Sequence, residues 1–367
     1  MPNDYHTTAQ LARTRHLREL LKELPDLCAD YFLSIEQLTS PLTRLSYAYD
    51  LKLFFQYLSD EVPRYGGKTI VSFTVDDIRA VTKQDLERYA RYLTLYVRNE
   101  SQQDGETSSR EITNHEYGIK RKYASLRAFY KYLFANGLIE SNTAALVPLP
   151  KLHERAIIRL DIDEVARILD IAENGQALPK TYQKYHQVTK KRDLAMLSLF
   201  LGTGIRISEC VGLDIDDFDF EQNAFVVTRK GGKEVILYMP DEVADALKDY
   251  LAQRRDIEAL PGHESAFFLS IQRRRITQRA VENMVKKYAS IAAPLKKKIS
   301  PHKLRSTFGT NLYRETGDIY LVADVLGHSD VNTTRKHYAA IAEDHRRLAA
   351  QKTVLRDDPA ELPGNNE

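Results

Sequence analysis

A chain of 367 residues with 43% hydrophobic content exceeds what one ordinary core encloses, so two globular domains are expected and wholesale disorder is excluded. Its 53 Lys and Arg against 51 Asp and Glu leave a formal charge of +2, so any basic surface for nucleic acid has to be local. Two cysteines, Cys28 and Cys210, exclude a disulfide framework and a zinc cluster, and the lack of a signal core or membrane-length apolar run predicts a cytoplasmic protein.

In chain order, residues 1–24 read as an N-terminal extension and residues 25–147 as a helical domain. Ser40 supplies a capping hydroxyl and Pro41 a first helical position, after which Leu42, Leu45, Tyr49, Phe55 and Leu58 recur at helical spacing and predict one apolar face. Thr82 caps a second helix, Lys83 to Val97, followed by a polar surface loop from Asn99 to Thr113. A third helix spans Tyr117 to Phe134, with Tyr123, Leu126, Tyr130 and Leu133 as its buried stripe and Lys120, Arg121, Lys122, Arg127 and Lys131 facing out. Pro148 and Pro150 favour an extended linker over residues 148–154, and residues 155–350 form the second domain.

That domain is expected to open with a helix after Asp161 to Asp163 and a second from Lys191 to Leu201. Ala224 to Val227 and Val235 to Tyr238 then flank Arg229-Lys230-Gly231-Gly232-Lys233 as a β-hairpin with an unusually basic turn. Phe267 to Leu269 reads as a further strand, helical patterns dominate from Ile276, and residues 351–367 read as a flexible tail. The fold class is therefore mainly α with a small antiparallel β-sheet.

Six residues of the second domain matter as a set. Taken singly, Arg206 caps a helix or pairs with Glu209, and Lys230 keeps a turn soluble. His302 and Arg305 share a helix face, His328 follows a helix-ending Gly327, and Tyr338 is one of 21 tyrosines. Together they stand in one order: arginine, hairpin lysine, His-x-x-Arg, histidine, then tyrosine ten residues on.

The segments Thr203-Gly204-Ile205-Arg206-Ile207-Ser208-Glu209, His302-Lys303-Leu304-Arg305 and Leu326-Gly327-His328, with Thr333-Thr334 before Tyr338, resemble the signature blocks of the tyrosine recombinase or phage integrase family. Within that family, Thr228 to Lys233, Ala266 to Ser270 and Met284 to Tyr288 look most like the Xer type, and there the single-protein XerS. Ser306 departs from members that carry a histidine after the second arginine.

The resemblance implies a helical, SAM-like core DNA-binding domain before an α+β catalytic domain. It implies site-specific cutting and rejoining of DNA through a 3′-phosphotyrosyl intermediate, with catalytic Arg206, Lys230, His302, Arg305, His328 and Tyr338. The planar forks of Arg206 and Arg305 suit two phosphate oxygens. Tyr338 is the nucleophile, and a phenol of ordinary pKa ~10 needs a base, for which His302 is the candidate; His328 donates to the scissile phosphate. Lys230 protonates the 5′ oxygen, with Lys233 as the alternative, while Glu209 orients Arg206. The phosphotyrosyl bond conserves the phosphodiester energy, so no cofactor, ATP or metal is implied.

The implied partners are a double-stranded recombination site, a homo-tetramer on two sites and a septal DNA translocase. The implied role is Xer-like chromosome dimer resolution, with integration of a phage or conjugative element as the alternative. A type IB topoisomerase-like enzyme and a silent DNA-binding protein fit less well. Candidate phosphate contacts are Thr43, Arg44, Lys120, Arg121, Lys122 and Arg127 in the first domain and Arg273, Arg274 and Arg275 in the second. Ordinary solvated helix faces explain the same charges equally well. The apolar segment Ile341 to Leu348 is expected to pack on a neighbouring protomer.

Overall fold

The computed structural model describes residues 5–101, 107–153, 158–229, 232–296 and 298–328. The chain divides after Arg155 into two compact units. Among the described residues, no helix is long and apolar enough to cross a membrane.

The first unit comprises α1 (Tyr5–Leu21), α2 (Leu27–Ser34), α3 (Pro41–Glu61), α4 (Val75–Arg79), α5 (Lys83–Tyr92), a hairpin of β1 (Leu95–Ser101) and β2 (Thr107–Thr113), and α6 (Glu116–Ala135). Ser40 caps α3 as expected, its hydroxyl accepting from the Thr43 amide at 3.3 Å. The face that α3 buries is Ala48, Leu51, Phe54, Phe55 and Leu58, whereas the expected Leu42 and Tyr49 are exposed. Tyr123, Leu126, Tyr130 and Leu133 of α6 are buried as predicted. They meet an aromatic cluster in which Phe54 touches Tyr89 edge-on at 5.1 Å and Tyr31 touches Phe129 at 5.2 Å. Leu17, Leu20 and Leu24, in and just after α1, are buried in the same core.

The helix expected to run to Val97 stops at Tyr92, and the expected loop contains β2. Tyr96 is buried while Leu95 and Val97 are exposed, a period of two that belongs to a strand. The ladder aligns Tyr96 with Ile112 and Val97 with Glu111.

The second unit comprises α7 (Ile162–Asn174), α8 (Lys180–Thr203), α9 (Ile207–Gly212), an antiparallel sheet of β3 (Phe218–Asp219), β4 (Ala224–Thr228) and β5 (Glu234–Tyr238), then α10 (Asp241–Arg255), α11 (Gln278–Ala292), α12 (Pro301–Thr316) and α13 (Ile319–Leu326). The predicted hairpin is β4–β5, pairing Val226 with Ile236. Phe267 to Leu269 is buried but makes only isolated bridges beside it, from Ala266 to Asp214 and from Leu269 to Arg275, so it is not a full strand. Helix α8 begins eleven residues before the expected Lys191. Its first turns carry exposed Tyr182, Tyr185 and Val188.

His186 of α8 is buried, and neither ring nitrogen has a hydrogen-bond partner among the described residues. Burial holds its imidazole below the ordinary histidine value, with Lys287 adding to that effect and Asp193 opposing it. The folded state keeps the ring neutral while the unfolded chain takes up a proton below about pH 6.5, so this residue makes stability fall as pH drops from there. His186→Leu is therefore expected to flatten the fall in urea midpoint between neutral and mildly acidic buffer. Equal slopes in the two proteins would refute it.

Candidate active site

The second unit assembles its site where α8 ends, α9 begins and α12 and α13 meet. Helix α8 ends at Gly204 in the left-handed region (φ 63°), where a Cβ would press on Phe308 and Leu326, so only glycine fits the turn into α9. Arg206 is the N-cap of α9: its amide bonds the Glu209 carboxylate at 2.9 Å and its guanidinium the same carboxylate at 2.7 Å. Glu209 is buried and Arg206 about a third exposed. The expected pairing of Arg206 with Glu209 is present, but the helix that Arg206 caps is α9, which follows it, and not the apolar α8 before it.

Arg206 then reaches α13. Its Nη2 donates to the carbonyls of Gly327 at 2.8 Å and Leu326 at 3.2 Å. Arg305, on the second turn of α12 and buried, donates from Nη2 to that same Leu326 carbonyl and from Nη1 to the Gly204 carbonyl. Two arginines far apart in sequence therefore share one acceptor at the C-terminal, partially negative end of α13. The convergence sets two permanent cations side by side on a rigid frame.

His302 lies one turn before Arg305 on α12 and is exposed. Ser306 donates to the His302 carbonyl at 3.0 Å. Helix α13 ends at Gly327, which is left-handed (φ 59°), and His328 follows half-buried with its amide on the Ala323 carbonyl at 2.9 Å. Lys230 and Tyr338, with Ile341 to Leu348 and the tail, lie outside the described residues. Lys233 is described and exposed at the base of the hairpin turn. No cluster of His, Cys, Asp and Glu suited to a metal occurs among the described residues.

Three arginines expected to face DNA are held by the protein itself. Arg44 is buried against Glu36 at 2.9 Å. Arg275 is buried and donates to the carbonyls of Val211, Gly212 and Leu213, so it braces the chain after α9. Arg127 is half-buried and ties α6 to the carbonyls of Ala144 and Val147. Thr43 is half-buried, with its hydroxyl on Ser40. Lys120 and Arg121 are exposed on α6, although Arg121 bonds the buried Asp50 at 2.6 Å and half-buried Lys122 lies 3.8 Å from it. Arg273 and Arg274 are exposed, Arg273 with Glu258 at 3.9 Å. Sequence reasoning passed over Arg229, half-buried beside this site and taken only as part of a soluble turn.

Residues 159–345 match the Phage integrase family. The chain is 32% identical over 338 residues to tyrosine recombinase XerC of Caldanaerobacter subterraneus subsp. tengcongensis, covering 90% of this chain and 86% of that protein. It is 30% identical over 328 residues to tyrosine recombinase XerC of Oceanobacillus iheyensis, covering 89% and 94%. Its fold is similar to the Tn1549 transposon integrase in complex with circular intermediate DNA (TM-score 0.62, 21% identity, 89% of this chain and 99% of that one). It is also similar to the XerH recombinase bound to palindromic difH substrate (TM-score 0.60, 19% identity, 85% and 80%). The Xer-type likeness is borne out, whereas the narrower likeness to XerS is not supported by these relatives.

Proposed function

This chain belongs to the phage integrase family as a site-specific tyrosine recombinase of the Xer type, and from that premise we propose that it cuts and rejoins DNA through Tyr338. The Tyr338 phenol oxygen attacks the scissile phosphorus, its proton passing to His302. Arg206 and Arg305 hold the non-bridging oxygens as charge builds on them, and His328 donates a hydrogen bond to one. The 5′ oxygen leaves with a proton from Lys230, with Lys233 as the alternative donor. In the second half a 5′-hydroxyl of another strand attacks the 3′-phosphotyrosine and the phenol leaves. The observation that carries this reading is the Leu326 carbonyl shared by Arg206 and Arg305 one residue from Gly327-His328.

Support for an enzyme that works without metal or ATP is chemical: the phosphotyrosyl bond keeps the energy of the bond it replaces. The proposed substrate is a double-stranded dif-like site, bound by a homo-tetramer that spans two sites. Chromosome dimer resolution in the cytoplasm, prompted by a septal DNA translocase, is the proposed role. The proposed division of labour makes residues 25–147 the DNA-binding domain and residues 155–350 the catalytic one.

A nicked suicide DNA carrying the host's dif-like site tests the reading, because the severed 5′ end diffuses away and traps the adduct. Mass spectrometry of its proteolytic peptides is expected to find nucleotide on Tyr338. An adduct on another tyrosine, or none, would overturn the mechanism. Cleavage at a mobile-element end in place of the dif-like site would replace dimer resolution by integration.

Backbone contact by exposed Lys120, Arg121, Arg273 and Arg274 belongs to the same proposal. Lys120→Ala is expected to weaken binding of any DNA sequence and lower its salt slope by about one, at unchanged Tm. Arg121→Ala is expected also to destabilise the fold by about 1–3 kcal/mol, since buried Asp50 loses its nearest cation. Salt titrations and melting curves read the two effects separately. A salt slope unchanged in Lys120→Ala would remove that contact.

A further inference from the structure

Arg229 takes no part in the chemistry above, yet its side chain is bound to the same helix end as the two central arginines. Its Nη2 donates to the Val325 carbonyl at 2.8 Å, and its Nη1 lies 3.5 Å from the Asp324 carbonyl. With Arg206 on Leu326 and Gly327, and Arg305 on Leu326, the successive carbonyls of residues 324–327 are divided among three arginines. Gly327, left-handed at φ 59°, also leaves room for this contact: a Cβ there would displace the Arg229 guanidinium. The backbone of Arg229 meanwhile closes the hairpin turn, its amide on the Lys233 carbonyl at 2.8 Å and its own carbonyl accepting from Gly232 at 3.1 Å.

We infer that Arg229 is a positioning residue for Lys230, fastening the β4–β5 hairpin to the turn of α13 that leads into His328. The inference rests on the assignment of Lys230 as the proton donor to the leaving oxygen. A basic sequence followed by glycines at 231 and 232 contains nothing of its own that would hold a lysine at one place. An adjacent side chain clamped on two carbonyls of a rigid helix end supplies that restraint. Arginine suits the task because its fork reaches two acceptors at once, and the helix C-terminus favours a cation.

The test separates proton donation from every other step. Adduct formation is timed on suicide DNA with the ordinary 5′ oxygen at the scissile bond and on the same DNA with 5′ sulfur there. A thiolate leaves without needing a proton. Arg229→Met is expected to slow the oxygen substrate about ten- to hundred-fold and the sulfur substrate hardly at all. Arg229→Lys should show a smaller defect of the same kind, and it carries the test if Arg229→Met does not fold, which melting curves and binding of uncut DNA report.

Lys230→Met is the reference. If sulfur fails to rescue it, the assignment of Lys230 falls and takes the inference with it. If sulfur rescues Lys230→Met while the Arg229 variants are slowed equally on both substrates, or on neither, Lys230 stands and the role of Arg229 is overturned.

Discussion

Arg305→Lys is expected to lower the rate of covalent adduct formation by about 10²–10³, equivalent to roughly 3–4 kcal/mol of transition-state stabilisation, even though the positive charge is kept. Arg305 is buried and spans two carbonyls, Gly204 on the turn from α8 to α9 and Leu326 at the end of α13. A lysine offers one ammonium on a flexible stem, so it cannot hold both acceptors and also present a planar pair of donors to a phosphate.

The same change leaves a buried carbonyl without a donor, which costs about 1–3 kcal/mol of stability. Arg206→Lys should lose rate similarly but cost less stability, because its side chain is 35% exposed and the Glu209 carboxylate can still pair with an ammonium. Rates on suicide DNA, taken below the melting transition of each variant, separate the two effects. Near wild-type cleavage by Arg305→Lys would remove this residue from the phosphate site.

The contrast between these arginines and Arg275 shows where sequence reading reaches its limit. Arg206, His302, Arg305 and His328 were recognised by order and spacing, and the described four do lie on elements that meet at the end of α13. What joins the two arginines is a backbone carbonyl, which carries no residue identity and so leaves no mark in the sequence. Arg275 sat in a basic run that read as a DNA track, but charge alone does not say whether a guanidinium faces water or caps Val211, Gly212 and Leu213.

Local signals fared according to how local their cause is. Ser40-Pro41 at α3 and Asp161 at α7 act within one turn and were legible. Helix α5 and strand β1 were run together because Leu93, Tyr96 and Val97 continue a helical spacing. The exposure of Leu95 and Val97 either side of buried Tyr96 is set by pairing with β2. For α1, the leucines at 17, 20 and 24 carry a helical period and are buried, although residues 1–24 were expected only as an N-terminal extension.

Asp193→Asn is expected to be among the most destabilising single substitutions in the second unit. Asp193 of α8 is 1% exposed and accepts from four side chains: Arg192 at 2.7 Å, Tyr288 at 2.9 Å, Lys287 at 3.0 Å and Thr189 at 3.1 Å. It thereby joins α8 to α11, while Arg192 continues to the Leu269 carbonyl at 2.9 Å. Burial alone would push this carboxyl up, but the cations of Arg192 and Lys287 outweigh it and hold it below the usual carboxylate range. Removing the charge strands two largely buried cations, a loss of about 3–5 kcal/mol against a total that is typically 5–15 kcal/mol.

For a unit of this size that corresponds to a Tm lower by roughly 6–20 °C. The double variant Asp193→Leu with Lys287→Met should recover part of the loss, because it removes one stranded cation. The acid limb carries a second signature. A carboxyl depressed in the folded state contributes stability above the unfolded value near ~3.9, and that contribution is lost as pH falls through the folded value, so Asp193→Asn should lose the least additional stability on acidification. Calorimetry at neutral and acid pH measures both effects. A Tm within about 2 °C of wild type at neutral pH would show that the cations find other partners and that this cluster does not hold α8 to α11.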